Sequence, residues 1–139
     1  MLQYDFLDAH KRHLEDAESL YDHSRLANAD HLFGISAECG LKYIMKNFGM
    51  TTDPVTGDPE DQYRVHLPDI WNRYKSFMAG MGVASYTLPS KNHFYDWSVF
   101  QRYVPQAYFN KSIIMPHKEC AQYIHRLVKN SLLDGRIVL

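Results

Sequence analysis

The sequence predicts an all-α fold, an antiparallel bundle of four to five helices. Apolar residues recur at three- and four-residue steps in several separate stretches, no segment shows a convincing apolar–polar alternation, and two long loops divide the helical stretches. The 139 residues read as a single domain over 1–139. A chain of that size buries roughly two-thirds of the surface it exposes when unfolded, so it needs neither metal nor disulfide to fold.

From Leu2 to Ser24, the residues Phe6, Leu7, Leu14, Ala17, Leu20 and Tyr21 keep helical spacing among charged neighbours, which predicts a first amphipathic helix. The second spans Arg25–Asn47, with Ser24 or Asn28 to start it and Asn47 and Gly49 to end it. Ala29, Phe33, Ser36, Ala37, Gly40 and Ile44 share one of its faces. Gly34 and Gly40 each cost about 1 kcal/mol against Ala in a helix interior, so close approach of another backbone is expected there. Met50–Gln62 concentrates Thr, Asp, Pro and Gly and reads as a mobile surface loop. Pro68 opens a third helix over about Leu67–Ala79, with Ile70, Trp71, Tyr74, Phe77 and Met78 inside and Gly80 past its end. Gly80–Asp96 is irregular, and a short helix is expected around Trp97–Tyr103. Pro116 suits the first turn of a last helix through Cys120, Ala121, Ile124, Leu127, Val128 and Leu132, with Gly135 as its stop.

Fifteen Lys and Arg against sixteen Asp and Glu give a formal charge of −1, so net charge selects no partner and any grip on nucleic acid must be local. Lys42, Lys46, Arg73 and Lys75 are the basic residues placed to meet phosphate. Cys39 and Cys120 lie in apolar helical patterns with no disulfide spacing. The N-terminal stretch is charged and lacks an apolar signal core, and no run of about eighteen apolar residues occurs; a cytoplasmic protein that does not enter the membrane is the expectation. Ten Tyr, seven Phe and two Trp serve a core, a homodimer interface or base stacking equally well. Among the eight histidines, His10 and His13 share a helix face with no further ligand beyond Asp16, so no metal or other cofactor is expected. His117 reads as a surface imidazole one turn from a buried Cys120. No Cys-x-x-Cys pair, Gly-rich phosphate loop or Ser-centred elbow is present, which argues against the common hydrolases and nucleotide triphosphatases.

Three segments together resemble the HEPN superfamily of small prokaryotic helical bundles. Ala37–Lys42, AECGLK, is similar to its A-E-x-x-L-K signature and follows an opening helix through His10–Leu20; His66-Leu67 with Trp71 resembles the start of its third helix; and Asp96–Tyr103, DWSVFQRY, resembles the R-Y segment before its last helix. The resemblance implies a dimeric protein associated with RNA or nucleotides in a toxin–antitoxin or defence setting, with ribonuclease-type ancestry. The usual site of such proteins, an arginine with a histidine a few residues on, is missing here: Arg102 has no histidine within the next ten residues and Arg126 has none after it. Arg25 and His31 have a compatible spacing, but Leu26 follows the arginine and the pair stands at the start of the second helix, which reads as coincidence.

Two functions of different class follow. In the first, the protein works on RNA, cleaving it without metal if it cleaves at all. Arg102 then stabilises the phosphate, His66 moves a proton, and Glu38, Lys42, Trp97 and Tyr103 form the binding surround. In the second, the missing motif marks a noncatalytic module that pairs with itself or with a partner such as a nucleotidyltransferase. Glu38, Lys42 and Arg102 are expected in one buried polar cluster covered by Trp97 or Tyr103, because a charge buried alone costs several kcal/mol.

Overall fold

The computed structural model describes residues 2–134. Four α-helices make the fold: α1 (Phe6–Asp22), α2 (Leu26–Asn47), α3 (Asp69–Gly80) and α4 (Lys111–Leu133). Short 3-10 turns at Asp61–Tyr63, Val99–Tyr103 and Gln106–Tyr108 punctuate the connections. Among the described residues the only β pairing is an isolated bridge between Thr52 and Pro59, and no helix is long and apolar enough to cross a membrane. The all-helical class predicted from periodicity is the observed one.

The Asp5 carboxylate caps α1 by accepting the Asp8 N–H, and three residues, His23–Arg25, separate α1 from α2, with Ser24 at a φ of 58° turning the chain. Neither Ser24 nor Asn28 caps α2: Arg25 stands at its N-terminus and supplies no side-chain bond. The two helices pack along their length as a hairpin, and α2 also meets α3, α4 and the Val99–Tyr103 turn. It is therefore the central element, with Ala29, Phe33, Ala37, Leu41, Ile44 and Met45 fully buried. The Met50–Gln62 loop is organised: the Asp53 carboxylate accepts the Val55 and Thr56 N–H groups, and the Thr56 carbonyl accepts the Tyr4 N–H.

The last helix begins five residues before Pro116. The Asn110 side chain accepts the Ile113 N–H and Ile114 is wholly buried, which together outweigh the one backbone bond that Pro116 cannot make. Gly135, the expected stop, lies outside the described residues.

The helix-interior glycines admit side chains, not another backbone. A Cβ at Gly34 would stand 1.9 Å from Cε2 of the Trp97 indole, and one at Gly40 would stand 2.9 Å from both His10 Nδ1 and Ile124 Cγ2. The Trp97 ring thus lies directly on α2, where its Nε1–H donates to the Asp30 carbonyl at 3.0 Å. His10 sits on the buried stripe of α1 with Leu14, Ala17 and Tyr21. Its Nδ1–H donates to the Ser36 carbonyl at 2.8 Å, the Ser36 hydroxyl donates to the His10 carbonyl at 2.8 Å, and His10 Nε2 faces His125 Nδ1 at 3.0 Å. With Nδ1 protonated, Nε2 accepts from His125, and the pair is neutral.

Two outcomes are expected. Gly34→Ala gains about 1 kcal/mol of helix propensity but forces the indole off α2, so a net loss of at least about 2 kcal/mol should appear in urea melts, with Trp emission shifted to the red. The second concerns acid. Burial lowers His10 from 6.5 to about 4, so the folded state binds its proton later than the unfolded chain does. The stability this gives is complete above pH 6.5 and disappears as pH falls toward 4, by roughly 2–4 kcal/mol. Urea melts across that range should show the loss, and His10→Gln should flatten it.

Candidate functional site

Two polar centres flank the Trp97 ring. The first begins with Glu38 and Lys42, one turn apart on α2 and both buried, bridged at 3.1 Å. His66, in the segment leading into α3, brings its Nδ1 within 2.9 Å of Glu38 Oε1 while its side chain stays 55% exposed. Burial alone would push the Glu38 carboxyl up, but the His66 hydrogen bond and the Lys42 charge outweigh it and hold the group below its ordinary value. The same bond to Glu38 raises His66 above 6.5, against a smaller opposing effect of burial. Glu38 thus fixes a half-exposed imidazole and favours its protonated form.

Arg102 does not join that buried pair, contrary to the expected cluster. The Val99–Tyr103 turn holds it at the surface, where Nη1 donates to the Val99 carbonyl at 3.3 Å and the guanidinium lies 4.9 Å from the Tyr103 ring and 5.8 Å from Phe100. The physical reason is that Glu38 already has two partners, Lys42 and His66, which satisfy it without a third cation. Arg102 remains close enough for its charge to oppose protonation of both His66 and His31. His31 stacks parallel on Trp97 at 5.9 Å, and burial, then the Arg102 charge, lowers it below 6.5. Lys42, being buried on Glu38, is not a phosphate contact, and Trp97, 1% exposed, offers no face to a base. Tyr103 is open to solvent.

The second centre is built on His117, which is buried and not the surface imidazole its neighbourhood to Cys120 implied. Its Nδ1 lies 2.6 Å from Asp30 Oδ1 and its Nε2 lies 2.8 Å from Asp96 Oδ1. Carboxylate oxygens only accept, so both ring nitrogens donate and the ring is an imidazolium. Burial works against that charge, yet the bonds to Asp30 and Asp96 raise His117 above 6.5. Gln101 Nε2–H donates to Asp30 Oδ2 at 2.7 Å, its Oε1 accepts the Ser98 N–H, and the buried Phe94 ring stacks on His117 at 5.3 Å. This centre joins α2, α4 and the 94–101 segment. It also forms one end of a cleft of about 380 Å³ walled by Phe100, Val104, Tyr108, Phe109 and Ile113.

The sequence weighs His31 only as a partner of Arg25, where it reads as coincidence, and does not reveal its place beside Glu38 or the Asp30–His117–Asp96 set. His31 shares a face with Glu38 two turns away, a signal that was available; the partners of His117 lie 87 and 21 positions apart from it and no local spacing announces them. Neither cysteine is a nucleophile at neutral pH, since burial pushes both thiols up to about 12. Among the described residues no group of three or more His, Cys, Asp or Glu side chains is arranged to hold a metal ion. Comparison with protein families, with curated proteins and with solved structures finds no match to this chain. The HEPN reading therefore rests on its three motifs.

The buried and the surface charge should respond differently to removal. Glu38→Ala strands a buried Lys42 and should cost about 3 kcal/mol or more, whereas Arg102→Ala at the surface should stay within about 0.5 kcal/mol of the parent. Thermal melts of the two variants check this.

Proposed function

We propose that the protein is a HEPN-like helical module that engages RNA or a nucleotide on the face carrying His66, Arg102 and Tyr103. The observation that supports it most is the pairing of a half-exposed imidazolium, fixed by buried Glu38, with a surface guanidinium resting on the exposed rings of Phe100 and Tyr103. Two cations suit phosphate, and rings open to solvent suit a base.

The same face carries the elements of metal-independent RNA cleavage. Around Arg102 stand two imidazoles displaced in opposite directions, His31 toward its neutral form and His66 toward its protonated form, the arrangement that assigns a base and an acid. His31 accepts the proton of a 2′-hydroxyl and the 2′-oxygen bonds to phosphorus. The bond from phosphorus to the 5′-oxygen then breaks, and that oxygen takes the proton of His66. Arg102 stabilises the charge on the phosphoryl oxygens, and a 2′,3′-cyclic phosphate results.

A second reading, the noncatalytic module that pairs with itself or a partner protein, draws on one observation: Phe100, Tyr103 and Tyr108 are 66%, 75% and 63% exposed within one short segment. Light scattering separates the readings from a lone chain, since a monomer at micromolar concentration removes the homodimer from both.

Labelled single-stranded RNA, titrated with the protein in EDTA and followed by anisotropy and by gel, tests the proposal. Binding is expected, weakened about tenfold or more in Arg102→Ala. Cleavage is expected to follow a bell, falling at acid pH as His31 gains a proton and at alkaline pH, above 6.5, as His66 loses its own. Absence of binding together with intact RNA at high protein concentration rejects the reading.

A further inference from the structure

The cleft over His117 carries a chemistry opposite to that of the Arg102 face. Two carboxylates and one imidazolium, Asp30, Asp96 and His117, sum to a charge of −1. Asp30 is closed off beneath Gln101 and His117, but Asp96 gives one oxygen to His117 and keeps its side chain 47% exposed at the cleft. Among the described residues no other donor reaches that carboxylate. The Gln101 amide is neutral and held at both ends, one N–H on Asp30 and its oxygen on the Ser98 N–H, so it brings no charge to the cleft. Apart from the Ser98 hydroxyl, the remaining walls are apolar or aromatic, Phe100, Val104, Tyr108, Phe109 and Ile113, and no Lys or Arg lines the space.

We propose that this cleft is a binding site for a small organic cation, an amine or guanidine with an apolar body, whose charge meets Asp96 and whose body lies among Phe100, Tyr108 and Phe109. A phosphate or carboxylate ligand would face an uncompensated like charge. A neutral apolar ligand would cover the second Asp96 oxygen, the one not engaged by His117, with hydrocarbon, which is costly. A cation satisfies it and also meets the negative faces of the rings. The volume, about 380 Å³, lies at the lower end of small-molecule sites and suits a ligand of one ring or a short chain. The site does not depend on the RNA reading, because Asp96, Tyr108 and Phe109 play no part in that face and only the Phe100 ring borders both.

Calorimetric titration of the full chain with benzylamine, benzyl alcohol, benzoate and adenosine tests it. Benzylamine is expected to bind, benzyl alcohol about tenfold or more weaker, and benzoate not at all. Asp96→Asn keeps an oxygen for the His117 Nε2–H and removes the charge, so it should lose about tenfold in benzylamine affinity while melting near the parent temperature. Tyr108→Ala, at an exposed wall position, should weaken benzylamine without affecting the fold. The proposal is overturned if benzylamine does not bind at millimolar concentration, if benzyl alcohol or benzoate binds equally well, if both variants bind as the parent does, or if adenosine binds more tightly than benzylamine at the same place.

Discussion

The contact on which the rest of the structure depends is the indole of Trp97 laid flat on α2 at Gly34. A side chain at that position would collide with the ring, so the absence of one is what lets the 94–104 segment cross the central helix. The indole N–H then donates to the Asp30 carbonyl, a bond that lies inside the fold and draws on a helix carbonyl with a free lone pair. Once Trp97 is seated, its chain neighbours have little choice of position. Asp96 reaches His117, Gln101 reaches the Asp30 carboxylate, and Arg102 is left pointing outward beside His66 and His31.

The two polar centres differ in what burial does to them. Around His117 the buried ring is fully engaged: each of its nitrogens donates to a carboxylate oxygen, at 2.6 and 2.8 Å, and Phe94 seals one ring face, while the half-exposed Asp96 keeps its second oxygen at the surface. That set acts first as a clasp between α2, α4 and the aromatic segment, and a buried ion set of this kind is retained where position has to be exact in register. Around Glu38 the carboxylate is equally deep, but the imidazole it holds opens to solvent. A buried anion with a half-exposed cation exports its effect to the surface, since Glu38 keeps His66 charged and oriented where a ligand can reach it.

How much of this was legible in the sequence follows from the range of each interaction. The helices were, because their apolar spacing is local, and so was the Glu38–Lys42 pair at one turn of separation. The start of α4 was not, because Pro116 is a strong local signal for a first turn while the competing cap from Asn110 gains its weight only once Ile114 is buried. His10 completes a stripe with Leu14, Ala17 and Tyr21 that a purely apolar count passes over, and its place is explained only by Ser36 and His125 on other helices. Arg102 was assigned to Glu38 by charge alone. The loop before α3 supplied His66 instead, and which of two cations reaches a buried carboxylate is a matter of tertiary geometry that periodicity does not encode.

The same seating of Trp97 divides the surface by charge. On one side the chain displays cations, His66 and Arg102, with rings beneath the guanidinium; on the other it displays the Asp96 carboxylate among rings. Phe100 belongs to both, stacking near Arg102 and walling the cleft. Opposite charges held a few residues apart on one rigid turn reject opposite classes of ligand, since an anion favoured at Arg102 is disfavoured at Asp96. Phe100 is the ring common to both faces, and the Ser98–Gln101 capping box fixes the backbone that carries it.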